Sequence, residues 1–273
     1  VITLDLEMPK MDGFSFLRLL MATRPTPVIV VSSYSQKENV FRALELGAVD
    51  FVARPDHAGG AESEEAFNGL LQKVLSFRNE RPVNLRPSAL PPSPRWADRS
   101  GDRARGGSRL APRTVVAVVA STGGPSALAQ LFAELAGTGS YAVLVAQHMP
   151  ERFTRTFAER LDKKSMFRVT EAVDGDLVVS QTAFVCPGRQ CMEVEAVPGG
   201  QLRVRVVAPA PEDRYAPSGN RLLSSVGRVM RARAIGVVLT GMGDDGTEGA
   251  RVLVASGGVV LAESEEKAVI YGM

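Results

Sequence analysis

The chain has 273 residues, a 45% hydrophobic share and 23% charged residues, the make-up of an ordinary globular protein with room for two cores. Its net charge of +2 does not argue for nucleic acid, so no nucleic-acid partner is expected, and no apolar run approaches the ~20 residues of a membrane helix. Two cysteines are too few for a disulfide framework, and with no signal peptide a cytoplasmic location is expected. Val1 already lies in an apolar run and Ala268–Met273 stops in mid-element, so both ends read as cut.

Residues 1–79 alternate strand and helix signals. Val1–Leu6 reads as a strand, Phe14–Thr23 as a helix with Phe14, Leu17, Leu20 and Met21 on one face, and Val28–Val31 as a second strand. Gln36–Leu46 reads as a helix stopped by Gly47, and Val49–Ala53 as a third strand closed by Arg54 and Pro55. Glu62–Phe77 reads as an amphipathic helix with Phe67, Leu70, Leu71, Val74 and Leu75 inward. This order predicts a parallel sheet with helices on its faces. Residues 80–113 change character, with eight Arg against Glu80, Asp98 and Asp102, and no apolar periodicity. They are expected to be a solvated linker, with a docked segment or an anion-binding arm as the other options.

From residue 114 the α/β alternation resumes to residue 273. Ser126–Leu135 and Arg152–Leu161 read as helices. Val169–Val207 holds short strands with glycine turns, including Pro198, Gly199 and Gly200, which predicts a β-hairpin insertion. Asn220–Ala232 reads as a helix, Ala234–Thr240 as a strand, Thr247–Ala255 as a helix and Gly258–Ala262 as a strand. The spacing of Cys186 and Cys191 suits neither a redox pair nor a zinc knuckle, so two ordinary thiols are expected.

Two sets of strand-end residues carry chemistry. Asp5 ends the first strand before Pro9 and Gly13, Ser32 the second and Arg54 the third. Acid, hydroxyl and cation on one sheet edge suit an aspartyl phosphate; unrelated strand-end polar residues are the equal alternative. In the second half, Ser121, His148 and Asp245 each follow an apolar run, and the carboxyl ends of parallel strands share one edge. They can meet as nucleophile, base and orienter. Only one other His, His57, exists in the chain. The turn Ser121-Thr122-Gly123-Gly124 also suits phosphate binding, although it lacks the GxGxxG spacing, and the next strand ends in Gln147-His148 rather than an acid. The small Gly123 and Gly124 let a substrate carbonyl approach the backbone. Of the adjacent Asp244 and Asp245, either could orient an imidazole, and one is expected to cap the helix at Thr247–Ala255.

The run Asp5-Leu6-Glu7-Met8-Pro9-Lys10-Met11-Asp12-Gly13, with Val31-Ser32-Ser33 and Ala48-Val49-Asp50-Phe51-Val52-Ala53-Arg54-Pro55, resembles the receiver domain of two-component response regulators. The resemblance implies a partial flavodoxin-like receiver at 1–79, with Asp5 as phospho-acceptor, Ser32 as switch hydroxyl, and Asp5 and the Glu7 backbone carbonyl as Mg²⁺ ligands. Arg54 stands where receivers carry Lys, and a fork replaces a compact ammonium. It also implies that the receiver's first two strands and first helix, with their acidic pair, precede this sequence. The motifs Ala120-Ser121-Thr122-Gly123-Gly124-Pro125, Gln147-His148-Met149-Pro150 and Leu239-Thr240-Gly241-Met242-Gly243-Asp244-Asp245-Gly246 resemble the chemotaxis protein-glutamate methylesterase (CheB) family. That implies a doubly wound α/β catalytic domain at 114–273 with Ser121 as nucleophile, His148 as general base and acid, Asp245 as orienter, and the Thr122 and Met242 amides as oxyanion donors. It further implies a monomer without a cofactor for hydrolysis. The expected partners are methyl-accepting chemotaxis receptors and a histidine kinase as phosphodonor. Cys191 and Asn220 stand where the family often has His and Asp, and are expected in the substrate-facing surroundings. A non-catalytic, receiver-controlled docking module is the alternative.

Overall fold

The computed structural model describes residues 1–33, 36–54, 60–79 and 110–273. The first unit runs β1 (Ile2–Asp5), α1 (Gly13–Thr23), β2 (Val28–Ser33), α2 (Lys37–Glu45), β3 (Asp50–Arg54) and α3 (Ala61–Asn79). Its sheet is parallel in the order β1-β2-β3. β2 is an unbroken apolar run because both its faces are covered: Val28, Ile29 and Val30 are fully buried. Asp12 starts α1, its carboxylate accepting the Phe14 and Ser15 N–H groups at 3.0 Å. The inward face read for α1 holds, with Leu17 and Met21 buried and Phe14 and Leu20 packed against them.

The inward face read for α3 does not hold. Leu70 and Val74 reach the small core of Ile29, Val49, Val52 and Phe77, whereas Phe67, Leu71 and Leu75 are exposed. The reason is width: a helix on three strands buries a narrow stripe, and no other described element covers the rest of its apolar face. The linker expected at 80–113 falls, up to residue 109, outside the described residues, as do Pro55 and His57.

The second unit runs β4 (Thr114–Ala120), α4 (Gly124–Glu134), β5 (Tyr141–Gln147), α5 (Glu151–Lys164), β6 (Arg168–Glu171), β7 (Leu177–Val178), β8 (Thr182–Val185), β9 (Cys191–Val197), β10 (Gln201–Val207), α6 (Gly219–Met230), β11 (Ala234–Val238), α7 (Thr247–Ala255) and β12 (Val259–Ala262). Six strands form a parallel sheet in the order β12-β11-β4-β5-β8-β6. The expected hairpin is present as β9 and β10, which with β7 make a separate antiparallel sheet. The winding reverses at β4: the chain moves to β5 on one side and returns as β11 on the other. A crevice opens at such a switch point, at the strands' carboxyl ends.

The two units share one core. The Phe41 ring stacks on Phe157 at 5.8 Å and Phe51 lies 4.6 Å from Phe153. Glu45 at the end of α2 pairs with Arg160 at 2.9 Å and Lys164 at 2.7 Å on α5. No helix among the described residues is long and apolar enough to cross a membrane.

Candidate active site

Ser121 follows β4 directly, His148 follows β5, and Asp245 lies in the turn between β11 and α7. Because β4 sits between β5 and β11, residues far apart in sequence converge on its carboxyl end. Ser121 Oγ is 3.1 Å from His148 Nδ1, and His148 Nε2 is 2.8 Å from Asp245 Oδ2. A carboxylate only accepts, so the Nε2 proton points at Asp245 and the Nδ1 lone pair at the Ser121 hydroxyl. The expected juxtaposition of Ser121, His148 and Asp245 is therefore present.

The support around these three residues was not legible in the sequence. Asp245 is completely buried, and besides His148 it accepts the backbone N–H groups of Gly219 at 2.6 Å and Asn220 at 2.9 Å. The N-terminus of α6 thus holds the carboxylate by charge-assisted bonds from donors that carry no side-chain signature. Gln147, also buried, donates through Nε2 to the carbonyls of Ser121 at 2.9 Å and His148 at 3.0 Å. One amide therefore ties the backbones of both residues together. Its Oε1 has no hydrogen-bond partner among the described residues and abuts Gly124, where a Cβ would collide with it. A Cβ at Gly123, whose φ is +82°, would lie 3.0 Å from Thr240 Oγ1. Both glycines thus sit where protein side chains approach the backbone closely.

Three expectations are corrected. Neither Asp244 nor Asp245 caps α7. That part falls to Asn220, whose Oδ1 accepts the Gly246 N–H at 3.0 Å and the Gly249 N–H at 2.8 Å. Asn220 consequently supports the Asp245 turn instead of facing a substrate. Cys191 does not face a substrate either; it is fully buried, with Sγ 3.8 Å from Asp213 Oδ2. Burial first, then the Asp213 charge, pushes its thiol above the ordinary range. Burial pushes Cys186 up strongly too, and both cysteines are free.

Asp244 is exposed and accepts from Arg214 Nη1 at 3.2 Å and from the Tyr215 hydroxyl at 3.3 Å. Burial, more than the nearby Asp244, raises the Tyr215 phenol above its usual value, so the hydroxyl remains a donor. The amide N–H groups of Thr122 and Met242 donate to no acceptor among the described residues. The first unit presses on the same turn. The Gly123 N–H donates to the Val49 carbonyl at 3.1 Å, and the Thr122 hydroxyl donates to Asp50 Oδ2 at 2.7 Å. Asp50 also takes a short hydrogen bond from Lys73. A cleft of about 650 Å³ lies between α2, α4 and β12, but none of Ser121, His148 and Asp245 lines it.

On the first sheet, Asp5, Ser32 and Arg54 share an edge as expected, with Arg54 Nη1 3.7 Å from Asp5 Oδ2. The Ser32 hydroxyl is engaged by Gln36 at 2.8 Å, and Gln36 in turn donates to Glu7 Oε1. Gln36 was not anticipated. Asp5 Oδ1 accepts the Glu7 N–H at 3.0 Å, so the Asp5 carboxylate and the Glu7 carbonyl belong to one tight turn. Two such hard oxygen donors suit magnesium, which keeps most of its shell as water. No cluster of three His, Cys, Asp or Glu among the described residues could hold a metal ion.

Family comparisons agree with this architecture. Residues 116–273 match the model for CheB methylesterase and residues 1–59 that for the response regulator receiver domain. The whole chain is 52% identical to protein-glutamate methylesterase/protein-glutamine glutaminase 6 of Anaeromyxobacter dehalogenans, covering 74% of that protein. It is 50% identical to protein-glutamate methylesterase/protein-glutamine glutaminase 1 of Myxococcus xanthus, covering 75% of it. The crystal structure of the Thermotoga maritima CheB methylesterase catalytic domain matches 60% of this chain and 86% of its own, with a TM-score of 0.57 at 32% identity. A triad-like chain at a switch point, a receiver-like sheet pressed against it and end-to-end similarity to these relatives place the chain in the CheB methylesterase family, with a response regulator receiver domain at its N-terminus.

Proposed function

We propose that this chain hydrolyses the methyl esters of glutamyl side chains in chemoreceptors and deamidates glutamines in them, under control of its receiver. The single observation that carries this reading is the connected line from Ser121 Oγ through His148 to Asp245. Such a line is hard to account for in a module that only docks. Nδ1 of His148 takes the Ser121 proton as Oγ attacks the ester carbonyl. Asp245 holds the ring in the required tautomer and stabilises the cation it becomes. The Thr122 and Met242 amides, which donate to no acceptor among the described residues, would receive the negative charge on the carbonyl oxygen. Collapse expels methoxide, which leaves as methanol with the His148 proton. Water then attacks the glutamyl–Ser121 ester, giving its proton to His148, and the serine recovers it on release. From a glutamine, ammonia leaves in place of methanol.

Control would run through the contacts of Val49 and Asp50, where β3 begins, with the turn after Ser121. Phosphorylation of Asp5 by a histidine kinase, sensed by Ser32 and neutralised by Arg54, would weaken them and favour an open form. Asp5 and the Glu7 carbonyl would hold magnesium, which supplies positive charge to the phosphoryl oxygens when bound. The test is methanol release from methylated receptor cytoplasmic fragments, with Ser121→Ala beside the parent. Release that vanishes in the variant supports the reading; equal release from both overturns it.

A further inference from the structure

We propose that Tyr215 is a positioning residue for His148, fixing the plane of its imidazole and stabilising the cation formed during attack. This rests on reading Ser121, His148 and Asp245 as the hydrolytic machinery. The two hydrogen bonds of the imidazole run through its two nitrogens. Two in-plane bonds define an axis and leave the ring free to tilt about it. The Tyr215 ring supplies the missing restraint: it lies 4.9 Å from the His148 ring, at 8° between planes. Tilting the imidazole would drive it into the phenol face.

The phenol is itself fixed. Its hydroxyl donates to Asp244 Oδ1 at 3.3 Å, and the Arg214 guanidinium lies 5.5 Å from its centroid while also bonding Asp244. The turn that carries Asp244 is shaped to admit it. Gly243 has a φ of +111°, and a Cβ there would come within 2.5 Å of the Tyr215 hydroxyl. The acidic pair thus divides its work: Asp245 bonds the edge of the imidazole and Asp244 anchors the ring that covers its face. Asp245 bonds the imidazole, and the two charged groups that contact the stacked Tyr215 ring, Asp244 and Arg214, pair with each other. An aromatic face attracts a cation but has little hold on a neutral ring, so the stack favours the imidazolium.

The test uses the chain with Tyr215→Leu, Tyr215→Phe and Ser121→Ala, assayed by methanol release from methylated receptor fragments. For Tyr215→Leu, kcat/KM is expected to fall about tenfold, mainly in kcat, the fold-change set by ~1.4 kcal/mol. Its acid limb should move to lower pH, because losing the stack disfavours the charged imidazole. Tyr215→Phe keeps the face and should restore most of the rate and the parental profile. Proton NMR gives a readout independent of activity. The chain has two His, so His148 can be assigned with a His57→Gln variant. Its ring protons, shielded by the phenol, should move downfield in Tyr215→Leu and stay in place in Tyr215→Phe. Parental kinetics in Tyr215→Leu, or a loss with neither the acid limb nor the resonances moved, would overturn the proposal. Methanol release that survives Ser121→Ala would instead sink the hydrolase reading, leaving the resonances to judge the stack alone.

Discussion

Replacing Asp245 by Asn tests the triad most directly, because every contact of that side chain is with a donor. Its oxygens accept from His148 Nε2, from the Gly219 N–H at 2.6 Å and from the Asn220 N–H at 2.9 Å, in complete burial. An amide offers one oxygen and one NH₂ to the same three donors. With the NH₂ toward His148 and Gly219, it opposes the Gly219 N–H and forces Nε2 to accept. The imidazole proton then sits on Nδ1, facing Ser121, where it cannot take the hydroxyl proton. With the amide reversed, the tautomer survives but the NH₂ opposes the Asn220 N–H. Either way one buried N–H loses its acceptor, at about 1–3 kcal/mol. For a domain of this size, ~2 kcal/mol corresponds to a fall in Tm of roughly 4–8 °C. The amide-to-Gly219 orientation also costs the base its tautomer, for which kcat drops on the order of 10⁴-fold. The assays are methanol release for kcat and KM and thermal unfolding by circular dichroism. A variant that keeps both kcat within about tenfold and the Tm of the parent would refute the assignment of Asp245 as orienter, since neither amide orientation allows both.

Asp50→Ala removes the acceptor of the Thr122 hydroxyl and of Lys73. Losing about 1.5 kcal/mol across the interface should raise methanol release roughly tenfold and speed amide exchange at residues 121–124; unchanged exchange would refute the Asp50–Thr122 bond as a restraint on that turn. Asn220→Ala strips the α7 N-terminus of a cap for Gly246 and Gly249 and should cost about 1 kcal/mol by urea denaturation. Asn220→Asp should match or exceed the parent, since a carboxylate beside a helix N-terminus is favoured. Burial works to raise the Glu45 carboxyl, but its bonds to Lys164 and Arg160 outweigh this and hold it below the usual range. The lowered value means the pairing stabilises the docked form above the ordinary carboxylate pKa and loses that contribution as pH falls through the lowered one. Unfolding free energy should therefore drop as pH falls below the ordinary carboxylate value and through the lowered one, and Glu45→Gln should flatten part of that slope.

Much of this protein was legible in its sequence because the signals are local. Apolar runs marked the strands, Asp12 and Gly47 marked helix ends, and the polar residue ending each run marked the carboxyl edge of the sheets. The two scarce or adjacent clues, one His after β5 and an acidic pair after β11, pointed to residues that the fold brings together with Ser121. Other features depend on neighbours that only three dimensions supply. The face that α3 buries is set by how many strands lie beneath it, so five apolar residues gave two inward ones. Asn220 looks like a substrate-facing change until its side chain is seen capping a helix 26 residues further along. Gly219 and Asn220 hold Asp245 with backbone amides, and a backbone amide is the same in every sequence. The stack of Tyr215 on His148 and the bond of Asp50 to Thr122 join residues 67 and 72 positions apart, and no periodicity reports such pairs. The sequence by itself determined which residues could do chemistry and on which strand ends they stand. The tertiary structure decided their partners, because strand order and packing bring together groups that the chain keeps apart.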